Sequence, residues 1–341
     1  MKNYRKKPIA STLRERLSRF TRNTRLILNV KYLLVVLVAI GSTSIASNAY
    51  TVSGSNFYTD YSSTDKAALL KLFAPRIYLA SGELYKPSSV EYALANMTRY
   101  QDSAITGTSN YCYKTTQALS SPTTKLAYFS GQSSAPIYAF WVEKTSGGIA
   151  YVDLVYFAFF PYNLGKTLLG TQFGNHVSDW EHVTIRCRKY TAYIKPAAVS
   201  LQHHSGVDQY SWSEIAKVGG THIMVYSAYG SHGMWKDAGT HTYETTVIGN
   251  LQDVCSAGTT WNTWLGTVNT YEYYAASNTG TGLGATSWAS YFLTNYGSAS
   301  SQAAYYWGNM NSGSVYGYYQ LETGPLPPQT TSSLTDTAAF K

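Results

Sequence analysis

The chain has 341 residues, of which 44% are hydrophobic and only 13% are charged, so it can bury a sizeable core. The formal net charge of +8 misrepresents the folded part. Residues 1–31 hold ten Lys or Arg against one acid, a local charge of +9, which leaves −1 for the remainder. A near-neutral body lacks the basic face that nucleic-acid binding requires, and we therefore expect no nucleic-acid partner.

The basic N-terminal region, residues 1–49, predicts entry into the secretory pathway. A nine-residue apolar run from Tyr32 to Ile40 follows the basic stretch, and small residues that suit signal-peptide cleavage follow the run. We therefore expect a secreted or vacuolar protein. Two alternatives stay open: a signal anchor that holds residues 26–49 in a membrane, and a mitochondrial presequence, because the segment is also rich in Arg.

The body of the chain predicts one short helix followed by many short strands. Residues 65–73 carry apolar side chains at helical spacing after a Ser-Thr-Asp start. The later β-branched and aromatic runs are separated by Gly, Ser, Pro and Asn without intervening helices, which favours an all-β, antiparallel, jelly-roll-like sandwich with long loops. The predicted strands are 137–142, 150–160, 179–187, 198–203 and 222–228.

Two further segments differ in character from this pattern. The strand at 150–160 is apolar on both faces apart from Asp153, which predicts a central strand that is covered on both sides. Residues 275–317 are rich in Gly, Ser, Asn and Tyr and predict long loops, with some helix around 288–296. The Pro-rich end of the chain predicts a disordered tail over residues 329–341.

Two acids and a histidine make 174–187 the most chemically suggestive stretch. If a strand begins at Asp179, the side chains of Asp179 and Glu181 point to the same face as the apolar residues that follow. Two like charges at the head of a buried stripe need a cation or hydrogen bonds, and His176 can reach them from upstream. This oxygen-rich set suits Ca²⁺, Mg²⁺ or Mn²⁺ better than Zn²⁺. Alternatively, both carboxylates accept hydrogen bonds from loop amides.

The same stretch carries a family resemblance. The six residues from His176 to Glu181 (HVSDWE) resemble part of the GHRHDWE motif of necrosis- and ethylene-inducing peptide-like proteins, which are secreted cytolysins. The resemblance implies that His176, Asp179 and Glu181 hold a divalent cation. The stretch is more similar still to the vacuolar protein sorting-associated protein 62 family, whose members read approximately HVGDWEH here.

The resemblance to the vacuolar sorting-associated family extends over residues 70–328, which implies a single domain over 50–328. The family name implies a part in the delivery of proteins to the vacuole. The stretches that carry the resemblance, in chain order, are 73–78 (FAPRIY), 83–90 (ELYKPSSV), 153–163 (DLVYFAFFPYN), 202–206 (QHHSG), 230–233 (GSHG) and 324–325 (GP).

One position departs from the cytolysin pattern. Those proteins carry a further Asp after the aromatic strand, where this chain has Asn163, and a longer insertion separates Asn163 from His176. An Asn carbonyl can still ligate Ca²⁺, though with less charge. The resemblance therefore implies a weaker cation site and places cytolytic activity in doubt.

All seven histidines lie between positions 176 and 241, which favours a shared site. Strand alternation directs His182 away from Glu181, so we expect it to be structural or exposed to solvent. Either His203 or His204 aligns with the Gln-His-Ser-Gly motif of the family. His232 lies in a turn from which it can reach the rim of the sandwich, or cap the turn itself.

Three cysteines permit at most one disulfide within the chain. Cys187 shares the inward parity of Glu181 and is expected to be a small buried hydrophobe. Cys112 and Cys255 are then the candidate pair.

We consider three functions. The first is an exported, non-enzymatic sandwich protein whose rim uses a divalent cation for recognition, with Asn163, His203, His204 and His232 near that site. The second is a membrane-active or carbohydrate-binding, cytolysin-like protein, because 32 Tyr and 8 Trp offer flat faces to a glycan or a lipid headgroup. The third is a metal-dependent hydrolase, although the sequence has no Gly-x-Ser-x-Gly, no His-Glu-x-x-His and no phosphate loop.

Overall fold

A computed structural model describes residues 61–101, 111–116, 128–131, 135–191, 193–247, 249–283, 306–308, 314–315, 318–319 and 323–341. All of these residues lie within one compact unit, Ser47–Lys341. The N-terminal region 1–49 and the helix predicted around 288–296 fall outside the described residues. The prediction of a single domain over 50–328 stays a prediction.

The described chain is dominated by strands. Its α-helices are α1 (Ser63–Leu72), α2 (Val90–Ala95) and α3 (Ser332–Thr335), and 3₁₀ turns occur at Thr263–Leu265 and Pro328–Thr330. The strands are β1 (Arg76–Leu79), β2 (Met97–Gln101), β3 (Tyr111–Thr115), β4 (Ile137–Ser146), β5 (Ile149–Asn163), β6 (Lys166–Leu168), β7 (Thr171–Phe173), β8 (His176–Lys189), β9 (Ile194–His203), β10 (Gly206–Ser211), β11 (Lys217–Val218), β12 (His222–Ser227), β13 (Met234–Trp235), β14 (Gly239–Thr246), β15 (Gly249–Cys255), β16 (Thr260–Asn262), β17 (Val268–Tyr274), β18 (Thr279–Gly282), β19 (Tyr306–Trp307), β20 (Ser314–Val315) and β21 (Tyr318–Tyr319).

Two sheets form the sandwich. The larger has the strand order β10-β9-β8-β5-β4-β17-β18, and the smaller has the order β11-β12-β1-β16, with β13 paired to β12. All five strands predicted from the sequence are present, and β5 and β8 are longer than predicted because they continue to the rim at Asn163 and His176. The all-β prediction is confirmed.

The strictly antiparallel arrangement is wrong in detail. Strand β17 runs parallel to β4, β1 runs parallel to β12, and β19 runs parallel to β3. Each of these pairs joins strands that are far apart in sequence, so a crossover replaces the hairpin that an antiparallel pair of neighbours would use. The uneven strand spacing in the sequence does not specify which distant strands meet.

The large sheet is covered on both faces. One hydrophobic cluster lies between the two sheets and contains Leu154 and Tyr156 of β5 together with Ile77 and Val225 of the smaller sheet. A second cluster on the opposite face contains the alternate β5 residues, such as Phe157. Strand β5 is therefore central and buried on both sides, as its composition predicts.

Helix α1 packs on the first cluster through Leu69 and Leu70. Its N-terminus has a capping box in which the Ser62 hydroxyl accepts from the backbone N–H of Asp65, while the Asp65 carboxylate accepts from the backbone N–H of Ser62. Leu69 and Leu70 are buried, and the Tyr156 hydroxyl donates to the Leu70 carbonyl at 2.9 Å. The predicted helix at 65–73 is thus confirmed, with a start two residues earlier.

The C-terminal segment 329–341 is ordered, so the predicted disordered tail is wrong. It contains α3, whose Leu334 is fully buried in the second cluster. The Lys144 ammonium donates to the carbonyls of Ser333 (2.7 Å) and Ala339 (3.0 Å), and the Arg186 guanidinium donates to Ala339 as well (3.0 Å). Buried cations need such acceptors, and the Pro-rich composition from which disorder was predicted gives no sign of them.

Phe340 anchors this segment to the sheet. Its ring lies 4.8 Å from the Arg186 guanidinium, a cation–π contact. We expect Phe340→Ala to lower the free energy of unfolding by about 1 kcal/mol and to speed amide exchange in residues 336–341. Hydrogen-exchange mass spectrometry checks this result. The exposed side chain of Lys341 provides the control, since Lys341→Ala keeps the backbone carbonyl that Thr184 contacts; equal exchange in both variants would contradict the prediction.

The cysteines do not form a disulfide. Cys112, Cys187 and Cys255 are all buried free thiols, so the candidate pair Cys112–Cys255 is wrong. Cys112 lies on β3, whereas Cys255 lies on β15 in a separate small cluster with Trp235. Cys187 faces the first cluster, as its parity predicts.

Within the described residues, no helix is long and apolar enough to cross a bilayer.

Candidate cation site at the sandwich rim

From Asp179 to Cys187, the side chains of β8 alternate between the two faces of the sheet, as predicted. Val183 and Ile185 lie in the cluster between the sheets, and Asp179 and Glu181 share their parity. Trp180 faces the second cluster. His182 also has this opposite parity, and its ring stacks on Phe157 at 4.5 Å.

His182 is structural rather than exposed. Its side chain is fully enclosed beside the Phe157 ring, and burial, assisted by the charge of Lys144, lowers the pKa of His182 to about 3. The imidazole is therefore neutral at physiological pH. Of the two alternatives that the sequence left open for this residue, the structural one is correct.

In both β5 and β8, the alternation of side chains between the two faces of the sheet reverses just before the rim. Ser178 has a φ of +64°, which is rare for a residue other than glycine, and it lies opposite Pro161. Beyond this point Val177 and Tyr162 face the second cluster, against the alternation of the strand. The reversal turns Asn163 toward the acids, where its side-chain amide donates to Asp179 Oδ2 at 3.0 Å.

His232 reaches the same carboxylate from the turn after β12. Its Nδ1 lies 2.9 Å from Asp179 Oδ2, and its ring stacks on Phe160 with centroids 3.8 Å apart. The residue is completely buried and has a φ of +62°, a strained backbone that the turn and these contacts maintain. His232 therefore does contact the rim, as the sequence suggested.

Glu83 is a rim residue that the sequence reasoning did not assign. Its Oε1 accepts from the Tyr85 backbone N–H at 2.9 Å, and its Oε2 accepts from the Gly230 backbone N–H at 2.7 Å. His232 Nε2 is 3.9 Å from Glu83 Oε1, beyond hydrogen-bond distance, and has no hydrogen-bond partner among the described residues. Glu83 lies inside the family-like stretch 83–90, which was the available signal.

Glu181 is the least compensated acid at the rim. The residue is only 6% exposed, and its Oε2 has no hydrogen-bond partner among the described residues. Burial, together with the charges of Asp179 and Asp253, raises the pKa of Glu181 well above its usual range. Without a bound cation, this carboxyl therefore stays protonated at pH values at which an exposed glutamate is ionised.

His176 lies within β8 opposite Asn163, at the end of the strand. Its Nδ1 is 2.5 Å from the Ser178 carbonyl oxygen, which can only accept, so Nδ1 carries the proton. Nε2 is then left with a free lone pair, which is the tautomer that metal ligation requires. In the described structure His176 is not hydrogen-bonded to Asp179 or Glu181.

Asp253 of β15 is another buried acid at the rim. It lies outside every family-like stretch, so the sequence gave no signal for it. It accepts from the Ser231 hydroxyl (2.6 Å) and the Trp235 indole (2.8 Å), and Lys166 lies 3.0 Å away. Burial alone would raise the pKa of Asp253, but His204 and Lys166 outweigh burial and lower it. Asp253 is therefore ionised and well compensated.

His203 and His204 are adjacent in sequence but contact different residues. His203 is buried against Trp235, with ring centroids 4.0 Å apart, and burial lowers its pKa although Asp208 opposes the shift. His204 Nε2 is 3.0 Å from Asp253 Oδ2. Thus His204, rather than His203, joins the acidic network.

Four buried carboxylates therefore meet at this rim with few compensating charges. Glu83, Asp179, Glu181 and Asp253 are each less than 8% exposed. In the part of the chain that the structure describes, Lys166 is the one lysine or arginine paired with any of them. In that same part, no three His, Cys, Asp or Glu side chains converge into a ready metal site.

The fold and site define an all-β sandwich with an acidic, largely buried rim. The family model described as Vacuolar protein sorting-associated protein 62 matches residues 130–299, just under half of the chain. That stretch contains β4, β5 and β8 with Asp179, Glu181 and His232. The resemblance predicted from the motifs is thereby confirmed.

Two curated relatives from Saccharomyces cerevisiae (strain ATCC 204508 / S288c) match as well. Vacuolar protein sorting-associated protein 62 is 29% identical over 154 residues, which is 41% of this chain and 31% of that protein. Putative vacuolar protein sorting-associated protein TDA6 is 29% identical over 160 residues, which is 41% of this chain and 32% of that protein. The chain thus spans about a third of the length of these relatives.

A solved structure with a similar arrangement is Necrosis and Ethylene inducing Protein 2 from the causal agent of cocoa's Witches Broom disease. It is 16% identical, the match covers 65% of this chain and 76% of that one, and the TM-score is 0.28. At this TM-score the likeness supports no argument about the site.

Proposed function

We propose that the chain is an exported, non-enzymatic recognition protein whose rim binds one divalent cation through Asp179 and Glu181. His176 would add one nitrogen ligand. Asn163 and His232 would orient the Asp179 carboxylate, because both already contact Oδ2. The cation would be Ca²⁺, Mg²⁺ or Mn²⁺, since the donors are mainly carboxylate oxygens.

The observation that supports the proposal most directly is the buried, unpartnered Oε2 of Glu181. A buried polar atom without a partner costs free energy and requires an explanation. A proton on Glu181 removes its charge but does not supply a partner. A cation shared with Asp179 would neutralise both acids and occupy the open lone pairs.

The remaining donors fit a cation in chemical type. His176 Nε2 carries a lone pair because Nδ1 donates to Ser178. Glu83 is already satisfied by two backbone N–H groups, and Asp253 is compensated by Lys166, so neither is needed as a ligand. When bound, the cation would supply positive charge that neutralises the buried acids, and it would fix the shape of the rim as a recognition surface.

Two features favour recognition over catalysis. The Asp179–His232 pair resembles an oriented general base, but the imidazole is completely buried beneath Phe160 and no substrate could reach it. Glu181 is nearly as enclosed. We therefore prefer a binding role to the hydrolase alternative.

Thermal denaturation tests the cation site. Saturating Ca²⁺, Mg²⁺ or Mn²⁺ at about 100 times the dissociation constant should stabilise the protein by about 2.7 kcal/mol. For a domain of this size that corresponds to a rise in melting temperature of about 5–10 °C. Chelator should reverse the rise. Asp179→Asn should largely remove the response while the circular dichroism spectrum stays unchanged.

The matched control is Asp237→Asn, which changes an exposed acid in the same way. This variant should respond to metal as the wild type does. A wild-type melting temperature that is indifferent to chelator and to all three cations would overturn the proposal, and the rim acids would then be structural.

A further inference from the structure

Residues 96–98 (NMT) form the one Asn-x-Ser/Thr sequon in the 341-residue chain. This triplet is the acceptor signal for N-linked glycosylation, which places bulky glycans on the surface of exported proteins. It lies at the junction of α2 and β2, where Asn96 caps the C-terminus of the helix and Met97 begins the strand. The rim site uses none of these residues.

The middle residue of the sequon is buried, whereas the other two are accessible. Met97 is only 6% exposed and lies in the second cluster with Val90 and Ala93 of α2. Thr98 is exposed and Asn96 is partly exposed. Met97 therefore anchors the segment to the core while the asparagine and the threonine remain within reach of solvent.

The side chains around the sequon leave this surface open. Ala95, which precedes the sequon, is exposed, and so is Lys114, the cross-strand partner of Thr98 on β3. Thr116, whose backbone N–H donates to the Asn96 carbonyl at 2.9 Å, is exposed as well. An oligosaccharide attached here would extend over small and polar side chains that solvent already reaches.

The helix cap accounts for the asparagine but not for the threonine. Asn96 Nδ2 donates at 2.9 Å to the carbonyl of Tyr92, which lies in the last turn of α2. A side-chain amide has two N–H groups, and an N-linked asparagine keeps one of them, so the cap and the modification are compatible. The cap needs no hydroxyl two residues later, and valine would suit the strand at Thr98 as well as threonine does.

We propose that Asn96 accepts an N-linked oligosaccharide when the chain enters the secretory lumen, an inference that rests on the proposed export. The donor is a lipid pyrophosphate-linked oligosaccharide, and a transferase of the host carries out the reaction. Asn96 Nδ2 forms a bond to the anomeric carbon of the oligosaccharide, and the bond from that carbon to the pyrophosphate oxygen breaks. The amide gives up one proton, and the lipid pyrophosphate is the leaving group. Thr98 supplies the hydroxyl that the sequon requires.

Expression of the full chain in a eukaryotic host tests the proposal. One form carries its own N-terminus, and a second form carries a cleavable signal peptide ahead of Met1, which directs Asn96 into the lumen independently of residues 1–49. Entry into the lumen is measured separately, as resistance of the chain to protease added outside sealed microsomes. Peptide N-glycosidase F should shift the electrophoretic mobility of the wild type by the equivalent of one glycan. The enzyme should also convert Asn96 to aspartate, which mass spectrometry of the peptide locates.

Two variants of Thr98 form a matched pair. Thr98→Ser keeps the hydroxyl and should keep the glycan, whereas Thr98→Val keeps the β-branched shape and should lose the glycan. Asn96→Gln should lose it as well. Circular dichroism of the enzymatically deglycosylated proteins checks that every variant folds.

The outcomes separate this inference from the proposed function. A signal-peptide form that reaches the lumen without a glycan on Asn96, or a Thr98→Val variant that stays modified, would overturn the inference. A glycan on the signal-peptide form alone would support Asn96 as the acceptor and contradict the proposed export. A glycan on both forms would support both proposals.

Discussion

Replacing Asp153 with alanine is expected to lower the free energy of unfolding by about 3–5 kcal/mol, the usual cost of removing one partner of a buried ion pair. Asp153 is fully buried and accepts two hydrogen bonds from Arg186, at 2.7 and 2.8 Å. Lys144 lies 3.4 Å from the same carboxylate. Without Asp153, two buried cations would face each other with backbone carbonyls and aromatic rings, but no carboxylate, as their partners.

Urea denaturation measures this loss. Glu143→Gln provides the matched control, because it breaks a solvent-exposed pair with Lys189 and should cost less than about 1 kcal/mol. The double variant Asp153→Ala, Arg186→Met should recover part of the loss, since it also removes the orphaned guanidinium. A loss below about 1 kcal/mol for Asp153→Ala would show that the cluster is not held by ionic pairing.

The same cluster shows where sequence reasoning stops. Asp153 is the one polar interruption of an otherwise apolar strand, which the sequence alone makes evident. Its partner Arg186 lies directly across on β8, yet only the register of two strands fixes that pairing. The carbonyls of the C-terminal segment complete the cluster from a distance of about 150 residues. No local pattern indicates such a contact, and the segment was therefore predicted to be disordered.

At the rim, in contrast, a local sequence pattern does predict the directions of the side chains. Strand period alone places Asp179 and Glu181 on one face and Trp180 on the other, and the structure agrees. The period fails between Ser178 and Asp179, because Ser178 adopts a positive φ that reverses the alternation. A serine carries no sequence signal for this conformation, which glycine or asparagine would have suggested.

The acidic network was predicted only in part. Glu83 lies in the loop after β1 and Asp253 lies within β15, both remote from β8 in sequence. They reach the rim only when the two sheets and the β14–β15 hairpin assemble. Histidine clustering in the sequence was a useful signal, since His232 and His204 both contact buried rim acids. It was not sufficient, because His182 and His203 pack on aromatic rings instead.

The acidic rim also predicts how stability depends on pH. The pKa of Glu181 is raised well above its usual range by burial and by the charges of Asp179 and Asp253. As pH rises above about 4.3, the unfolded chain releases this proton while the folded protein keeps it. Each pH unit between that value and the raised pKa then costs about 1.4 kcal/mol of stability. The contribution of protonated Glu181 to stability is complete below about pH 4.3. It is lost as the pH rises through the pKa that Glu181 has in the folded protein.

Glu181→Gln should remove this dependence in metal-free protein, because glutamine has nearly the same shape and does not titrate. The variant should be more stable than the wild type at pH 7 in chelator, and the difference should vanish near pH 4. Chemical denaturation at a series of pH values measures both effects. The exposed Glu91, changed in the same way, is the control and should leave the wild-type profile intact.

Added Ca²⁺ separates the two interpretations of Glu181. If a cation replaces its proton, saturating Ca²⁺ should stabilise the wild type most at neutral pH and flatten its profile, because cation and proton compete for the carboxylate. The Glu181→Gln variant should not respond. If Glu181 is only a buried neutral acid, Ca²⁺ should leave the wild-type slope unchanged, while the glutamine variant still removes it. Parallel profiles of wild type and Glu181→Gln in chelator would contradict both interpretations, since Glu181 would then ionise equally in the folded and unfolded chain.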